Sequence, residues 1–454
     1  MIKRNLYLVA SVLLLTTALF LRLYKLANRA PFDWDQNRDY QTISAIAVGK
    51  LTLIGPVAKG EGGFFLGPLY YYLASPAFFL THGDPLSLPI TSVLLDAIAI
   101  AAILFLLPRV WSRSGSFALA TLWTFSFFAI EMSKISWNVA LLPLYSILLI
   151  YFSLLALRSK LNNLIFGLIL GFSWHVHASL IPLIPLFGLA LLIFRRIRVK
   201  ELPYIVAGYL LALAPLILFD LRHNFLNLHL IFNYVHASSG SSVDYLAVLV
   251  SLFSRFGKNI YSSLFVSSDL HLWWGIGFAV LSLYSLFKGT LPAKISSAVI
   301  ILNLILVFAL REVGFAEYYL GVSYLPALLL LLDFLTHLKI PNSALVSLSF
   351  IISTYFCVRM YTTVLTSYSL GQKQAIVRAV ADHAQTVDLR YDLPFGRETG
   401  FDLLLPRAGV TLDQASNTKV IISEKMSERL FIDGELTEDL GYFGGMHIGI
   451  RVLQ

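Results

Sequence analysis

The feature that most constrains this chain is the recurrence of apolar runs, each roughly 17 to 25 residues long and separated by short basic connections. A helix rises about 1.5 Å per residue, so about 20 apolar residues cover the hydrocarbon of a bilayer. Helices rather than a barrel fit that pattern. Hydrophobic residues make up 57% of the 454 and charged ones only 13%, more apolar surface than one soluble core can hide. Lipid is therefore the solvent for most of the chain.

The net charge of +8 does not indicate a nucleic-acid partner, because the basic residues are not gathered on one soluble face as phosphate tracking requires. They lie between the apolar runs. With a cytoplasmic amino terminus, the short inner loops carry Arg109 and Arg113, Arg158 and Lys160, Arg195, Arg196, Arg198 and Lys200, Lys288 and Lys294, and Lys339. That obeys the positive-inside rule throughout. The matching crossings are 6–23, 89–108, 115–131, 139–157, 162–177, 179–194, 203–220, 271–287, 295–311, 317–336 and 343–361. About eleven transmembrane helices put the carboxyl terminus outside. The first, after Lys3 and Arg4, is long for a signal peptide and lacks an Ala-x-Ala site, so it reads as an uncleaved anchor. The single cysteine, Cys357, excludes an internal disulfide and a cysteine-based metal site.

Two apolar stretches stand outside this count. The segment 68–81 is too short to span comfortably and contains Pro76, so it reads as an interfacial or re-entrant helix with its tyrosines at headgroup level. The segment 245–265 is interrupted by Arg255 and Lys258 and also reads as interfacial. From about Ser367 the chain becomes densely charged. A helix over 372–384 and strands over 387–391, 419–422 and 447–452 predict a small soluble α/β unit. The expected organisation is a polytopic α-helical membrane module over 1–366, with outer interfacial helices in its first loop (24–88), and an extracytoplasmic domain over 367–454. The expected location is the plasma membrane.

The first outer loop opens with Asp33-Trp34-Asp35-Gln36-Asn37-Arg38-Asp39, three carboxylates and an arginine within seven residues. Tyr40, Ile43, Ile46 and Ala47 follow at helical spacing, which puts Asp35, Arg38, Asp39 and Thr42 on the other face of a helix lying on the membrane. Asp33 with Gln36 three residues later reads as a helix cap. Capping or surface pairing is the alternative for Asp35 and Asp39.

The order of anchor, acidic loop and Gly67-Pro68-Leu69-Tyr70-Tyr71 resembles the GT-C membrane glycosyltransferases over about residues 1 to 360. It is most similar to their family 39 group, which includes protein O-mannosyltransferases and bacterial lipid A aminoarabinose transferases. The resemblance implies inverting transfer of a sugar from a polyprenyl phosphate to an acceptor hydroxyl or amine at the outer membrane face. It also implies that Asp35 is the catalytic carboxylate and that Arg38 matches the family arginine. Three positions depart from the family: Gln36 replaces a glutamate, Gly67 a phosphate-touching lysine, and Trp137-Asn138 a second acidic site.

The chemistry makes separate demands. A phosphate leaves without a general acid once cations meet its charge, whereas the acceptor needs a base on the far side of the anomeric carbon. Asp35 is the candidate base, with Asp39 orienting the acceptor or holding Arg38. Candidate phosphate cations are Arg38, Lys134, Arg222 beside His223, and Arg311, with Arg222 first and its pairing to Asp220 the alternative. His177, Tyr70 and Tyr319 are candidate donor contacts, while Asn138, Glu317 and Asp96 are candidate acceptor or supporting residues. Asp96 lies inside the second crossing and must face the bundle. His175 and His177 diverge if their helix continues, which argues against a shared metal. The glycines at 60, 62, 63 and 67 are turn residues without a nucleotide-loop pattern. A divalent ion on Asp33, Asp35 and Asp39 is conceivable, but hard cations draw ligands from several segments. No metal or other cofactor is therefore expected. A transporter or lipid flippase would share the hydropathy and Asp96, but the chain shows no internal repeat.

Overall fold

The computed structural model describes residues 2–58, 63–156, 158–193, 197–237, 244–264, 270–310, 315–341, 344, 347–348, 350–351, 354–355, 368–424, 430–432 and 435–452. Cys357, Arg311, Arg195, Arg196, the glycines at 60 and 62, and most of the expected crossing 343–361 lie outside the described residues.

The chain forms a multi-pass helical membrane bundle with a C-terminal sheet. Among the described residues, six helices are long and apolar enough to cross: Asn5–Leu23, Ser87–Arg109, Asn138–Leu155, Val199–Arg222, Leu291–Ala309 and Glu317–His337. Two further apolar runs are broken from within. The run over 115–131 divides at Ser126, whose extended backbone ends one helix and whose Oγ accepts from Ala129 N (3.1 Å) to start the next. The run over 162–177 divides into Lys160–Gly171 and Ser173–Val176, after which His177 is extended.

Glycines let two helix pairs meet backbone to backbone. A Cβ on Gly167 would lie 2.0 Å from Ile205 O and one on Gly208 2.0 Å from Leu164 O, so Lys160–Gly171 and Leu202–Arg222 meet backbone to backbone. Gly257 and Gly275 do the same for Tyr245–Leu264 and His271–Lys288. The first of these, read from the sequence as interfacial, packs closely on its neighbour. The two charges that suggested the interface, Arg255 and Lys258, face Glu317 at 4.0 and 3.8 Å.

The helix after Asp33 forms as its spacing predicts, with one correction: Asp39, expected on the polar face, is buried with the apolar side chains. Trp34–Ala47 is helical, Gln36 Oε1 accepts from Asp33 N (3.0 Å), and Tyr40, Ile43 and Ile46 are buried. It packs on the helix Leu69–Leu80, with Tyr40 against Phe78 at 5.3 Å between rings. Twelve residues extend only about 18 Å, short of the hydrocarbon thickness.

The C-terminal sheet runs Thr411–Leu412, Thr386–Asp392, Thr418–Ser423, Met446–Val452, Glu438–Phe443 in spatial order. The first three strands are parallel and the rest antiparallel. Helices Leu370–Ala381 and Phe401–Arg407 pack on it through Ile376, Val380 and Phe401. The whole unit sits on residues 30–40: Leu370 N donates to Ala30 O (2.9 Å), and Trp34 meets Phe395 at 5.6 Å. Gly400, at φ +95°, faces Phe32 where a Cβ would come within 2.8 Å.

Candidate active site

Helical rotation turns Asp39 inward and leaves Asp35 outward. Asp39 is fully buried, and its Oδ1 accepts from Arg38 Nε (2.8 Å), Arg38 Nη2 (2.7 Å) and Tyr71 OH (3.1 Å). Its Oδ2 is also buried and has no hydrogen-bond partner. Burial pushes this carboxyl up to about 6, against the opposing pull of Arg38. The other edge of the same guanidinium donates from Nη1 to Asp35 Oδ1 at 2.8 Å. The Asp35 side chain is 39% exposed. One arginine thus ties a sealed carboxylate to an accessible one.

Asp33 faces away from this pair, toward the C-terminal unit, where Arg397 Nη1 lies 2.5 Å from Oδ2 and Lys373 Nζ 3.6 Å from Oδ1. Each of the three aspartates is therefore engaged by a cation. Among the described residues no three His, Cys, Asp or Glu side chains converge as a metal set.

A second cluster adjoins the first through the start of Leu69–Leu80. The His175 ring fills the space a Cβ on Gly67 would take, 2.2 Å from Nδ1. Nδ1 accepts from Leu69 N (3.3 Å), which leaves Nε2 as donor to Ala212 O (2.9 Å). His175 is thus a staple between elements, and two residues beyond Leu69 lies the tyrosine that reaches Asp39. Asn138 Nδ2 donates to Val176 O (2.5 Å), and its buried Oδ1 has no partner. His177 Nδ1 lies 2.8 Å from Ser179 Oγ, and its ring meets Tyr318 and Tyr319 edge-on at 5.1 and 5.0 Å. Trp137 closes the group against Tyr318 at 5.0 Å. Asn138, His177 and Tyr319, singled out separately in the sequence, are therefore neighbours.

Lys134 is buried and pairs with Glu131 Oε1 at 2.6 Å; Arg29 Nη2 shares that oxygen at 3.2 Å. Burial lowers the Lys134 ammonium to about 8 against the pull of Glu131. Arg29 escaped the sequence reading. Its position four residues before Asp33, on the same loop, was the available signal.

Other expected residues stand apart. Arg222 is exposed at a helix end, and among the described residues it forms no ion pair with Asp220, which accepts from Asn227 N (2.7 Å). Tyr70 is buried with its hydroxyl 3.3 Å from Ser92 Oγ, while Tyr71 takes the place beside Asp39. Consecutive helical residues point about 100° apart, so only one of the two can face the carboxylate. Glu317 is taken up by Arg255 and Lys258. Asp96 accepts from Arg22 Nε (2.6 Å) and Trp123 Nε1 (2.8 Å) in a buried pair. A cavity of about 40 Å³ lined by Asp96, Ser133 and Tyr318 separates it from the aromatic cluster.

The chain is similar in fold to ArnT from Cupriavidus metallidurans, solved bound to undecaprenyl phosphate and in the apo state. The TM-scores are 0.62 and 0.59, each at 12% sequence identity and over 97% of both chains. The likeness of fold agrees with the GT-C resemblance read from the acidic loop and the segment after it. No family model matches the sequence, and no curated protein matches it.

Proposed function

We propose that this protein transfers a sugar from a polyprenyl-phosphate donor to an acceptor hydroxyl or amine at the outer face of the plasma membrane, with its amino terminus in the cytoplasm. The observation that carries the reading is the Arg38 bridge between exposed Asp35 and buried Asp39. It lies on a fold shared with a protein solved with undecaprenyl phosphate.

In this reading Asp35 takes the acceptor proton as the acceptor oxygen or nitrogen attacks the anomeric carbon. The bond from that carbon to the phosphate oxygen breaks, and polyprenyl phosphate leaves with the electron pair, so one displacement inverts configuration. Arg38 aims Asp35, and Asp39 holds Arg38. Lys134 and Arg29, which share Glu131, meet the leaving charge. Asn138 offers its unpartnered Oδ1 to a sugar hydroxyl, and His177, Trp137, Tyr318 and Tyr319 wall the donor. Asp96 and Tyr70 serve the scaffold, and Glu317 holds the helix Tyr245–Leu264. The existing cation partners of all three aspartates favour a metal-free reaction.

A pH consequence follows from Asp39. As an anion it grips Arg38; protonated, it lets that edge go. Transfer should therefore fall as pH is lowered through about 6, where an ordinary surface carboxylate would set the limb near about 4. A kcat/KM profile with its acid limb near 4 would contradict this role.

The reading is tested by incubating the purified protein in nanodiscs with a polyprenyl-phosphate-linked sugar and following release of polyprenyl phosphate, with and without EDTA. Release in both is expected. Intact donor that only changes leaflet would favour a flippase, and activity lost in EDTA and restored by Mn²⁺ or Mg²⁺ would replace the metal-free mechanism.

A further inference from the structure

We infer that the C-terminal unit is part of the site's positioning machinery, with Lys373 and Arg397 fixing the start of the aspartate helix so that Asp35 and Arg38 are held in register. The catalytic side of this inference rests on the proposed function.

Lys373, on the helix Leu370–Ala381, has no exposed surface. Its Nζ donates to Phe32 O (2.7 Å) and Thr399 O (2.8 Å) and stands 3.6 Å from Asp33 Oδ1. A buried ammonium is costly unless such acceptors converge on it. Two of those three belong to the two residues immediately before the aspartate helix. Arg397 grips the second oxygen of Asp33 at 2.5 Å. The junction is therefore held by main chain and side chain together, two residues ahead of Asp35.

A second grip lies beyond Asp39. Arg407 Nη1 donates to Tyr40 OH (2.7 Å), and that hydroxyl donates to Gly83 O (2.6 Å). The C-terminal unit thus holds the helix at residues 33 and 40, on either side of Asp35, Arg38 and Asp39. A helix pinned at both places resists rolling about its axis. Rolling is the motion that would swing Asp35 away from the acceptor, and a misplacement of about 1 Å in a reacting group can cost about 10²-fold in rate.

A simple latch would behave differently: its loss would lower stability while each folded molecule worked at the normal rate. Full-length Lys373→Met, Arg397→Gln and Arg397→Lys proteins in nanodiscs separate the two. The half-exposed Arg397 supplies variants that fold even where the buried lysine variant does not. Undecaprenyl phosphate is the binding probe, donor turnover gives kcat and KM, and amide exchange is read over residues 34–40.

The expected result is a kcat at least about tenfold lower for Lys373→Met and Arg397→Gln, with donor KM and undecaprenyl phosphate affinity within about twofold of wild type. Exchange over residues 34–40 should rise in both, and Arg397→Lys should retain wild-type kcat. Unchanged kcat per folded molecule in Arg397→Gln, or unchanged exchange over the helix, overturns the inference. If wild type itself turns over no donor, the proposed function fails, and the exchange arm alone decides whether the C-terminal unit holds this helix.

Discussion

Replacing Asp35 with asparagine should lower transfer by about 10³-fold while folding and lipid-phosphate binding persist. The substitution is nearly isosteric, and an amide oxygen can still accept from Arg38 Nη1 where the carboxylate now does. The guanidinium therefore stays in place, held from its other side by Asp39. What disappears is the group able to take a proton. A loss confined to kcat, with donor KM near wild type, is the signature of a lost base; a matching rise in KM would make Asp35 a binding residue. Retention of more than about a tenth of wild-type transfer would remove Asp35 from the chemistry.

The second large effect concerns stability. Arg22→Met should destabilise the bundle by about 3–5 kcal/mol, because it strands Asp96 as an uncompensated buried charge. Arg22 now meets Asp96 at 2.6 Å and also donates to the carbonyls of Trp123 and Thr124, at 3.2 and 3.0 Å. The double variant Arg22→Met/Asp96→Asn should recover much of the loss, since no orphan charge remains. Its transfer rate per folded molecule should match wild type, which would place Asp96 in the scaffold. Chemical unfolding in detergent micelles measures the first point. A stable Arg22→Met protein, or a stable but inactive double variant, would contradict the account.

How far the sequence could be read followed the range of the interaction involved. The membrane bundle, the cap at Asp33, the amphipathic helix after it and the short helix around Pro76 are local consequences of periodicity and capping, and all were legible. The helix and three strands expected after residue 367 lie where their alternation put them. The breaks at Ser126 and near Phe172 were missed because they interrupt runs whose hydropathy is continuous.

Within the site, the grouping of Asp35, Arg38 and Asp39 was legible and their burial was not. The depth of Asp39 depends on Tyr71, and no local rule chooses between Tyr70 and Tyr71. Asp33 meets Arg397 across 364 positions of sequence and Arg22 meets Asp96 across 74, so both pairings are products of tertiary packing. Arg222 looked suited to a phosphate by its place at a helix end, whereas the sharing of Glu131 by Lys134 and Arg29 depends on packing across 102 positions of sequence.

The most direct test of the central claim is a structure of the protein with undecaprenyl phosphate bound. The phosphate is expected against Lys134 and Arg29, with room for one sugar between it and Asp35. A phosphate seated at Arg222, or a lipid confined to the apolar groove of about 660 Å³ along Trp273, Phe278 and Phe334 with its headgroup remote from Asp35, would contradict it.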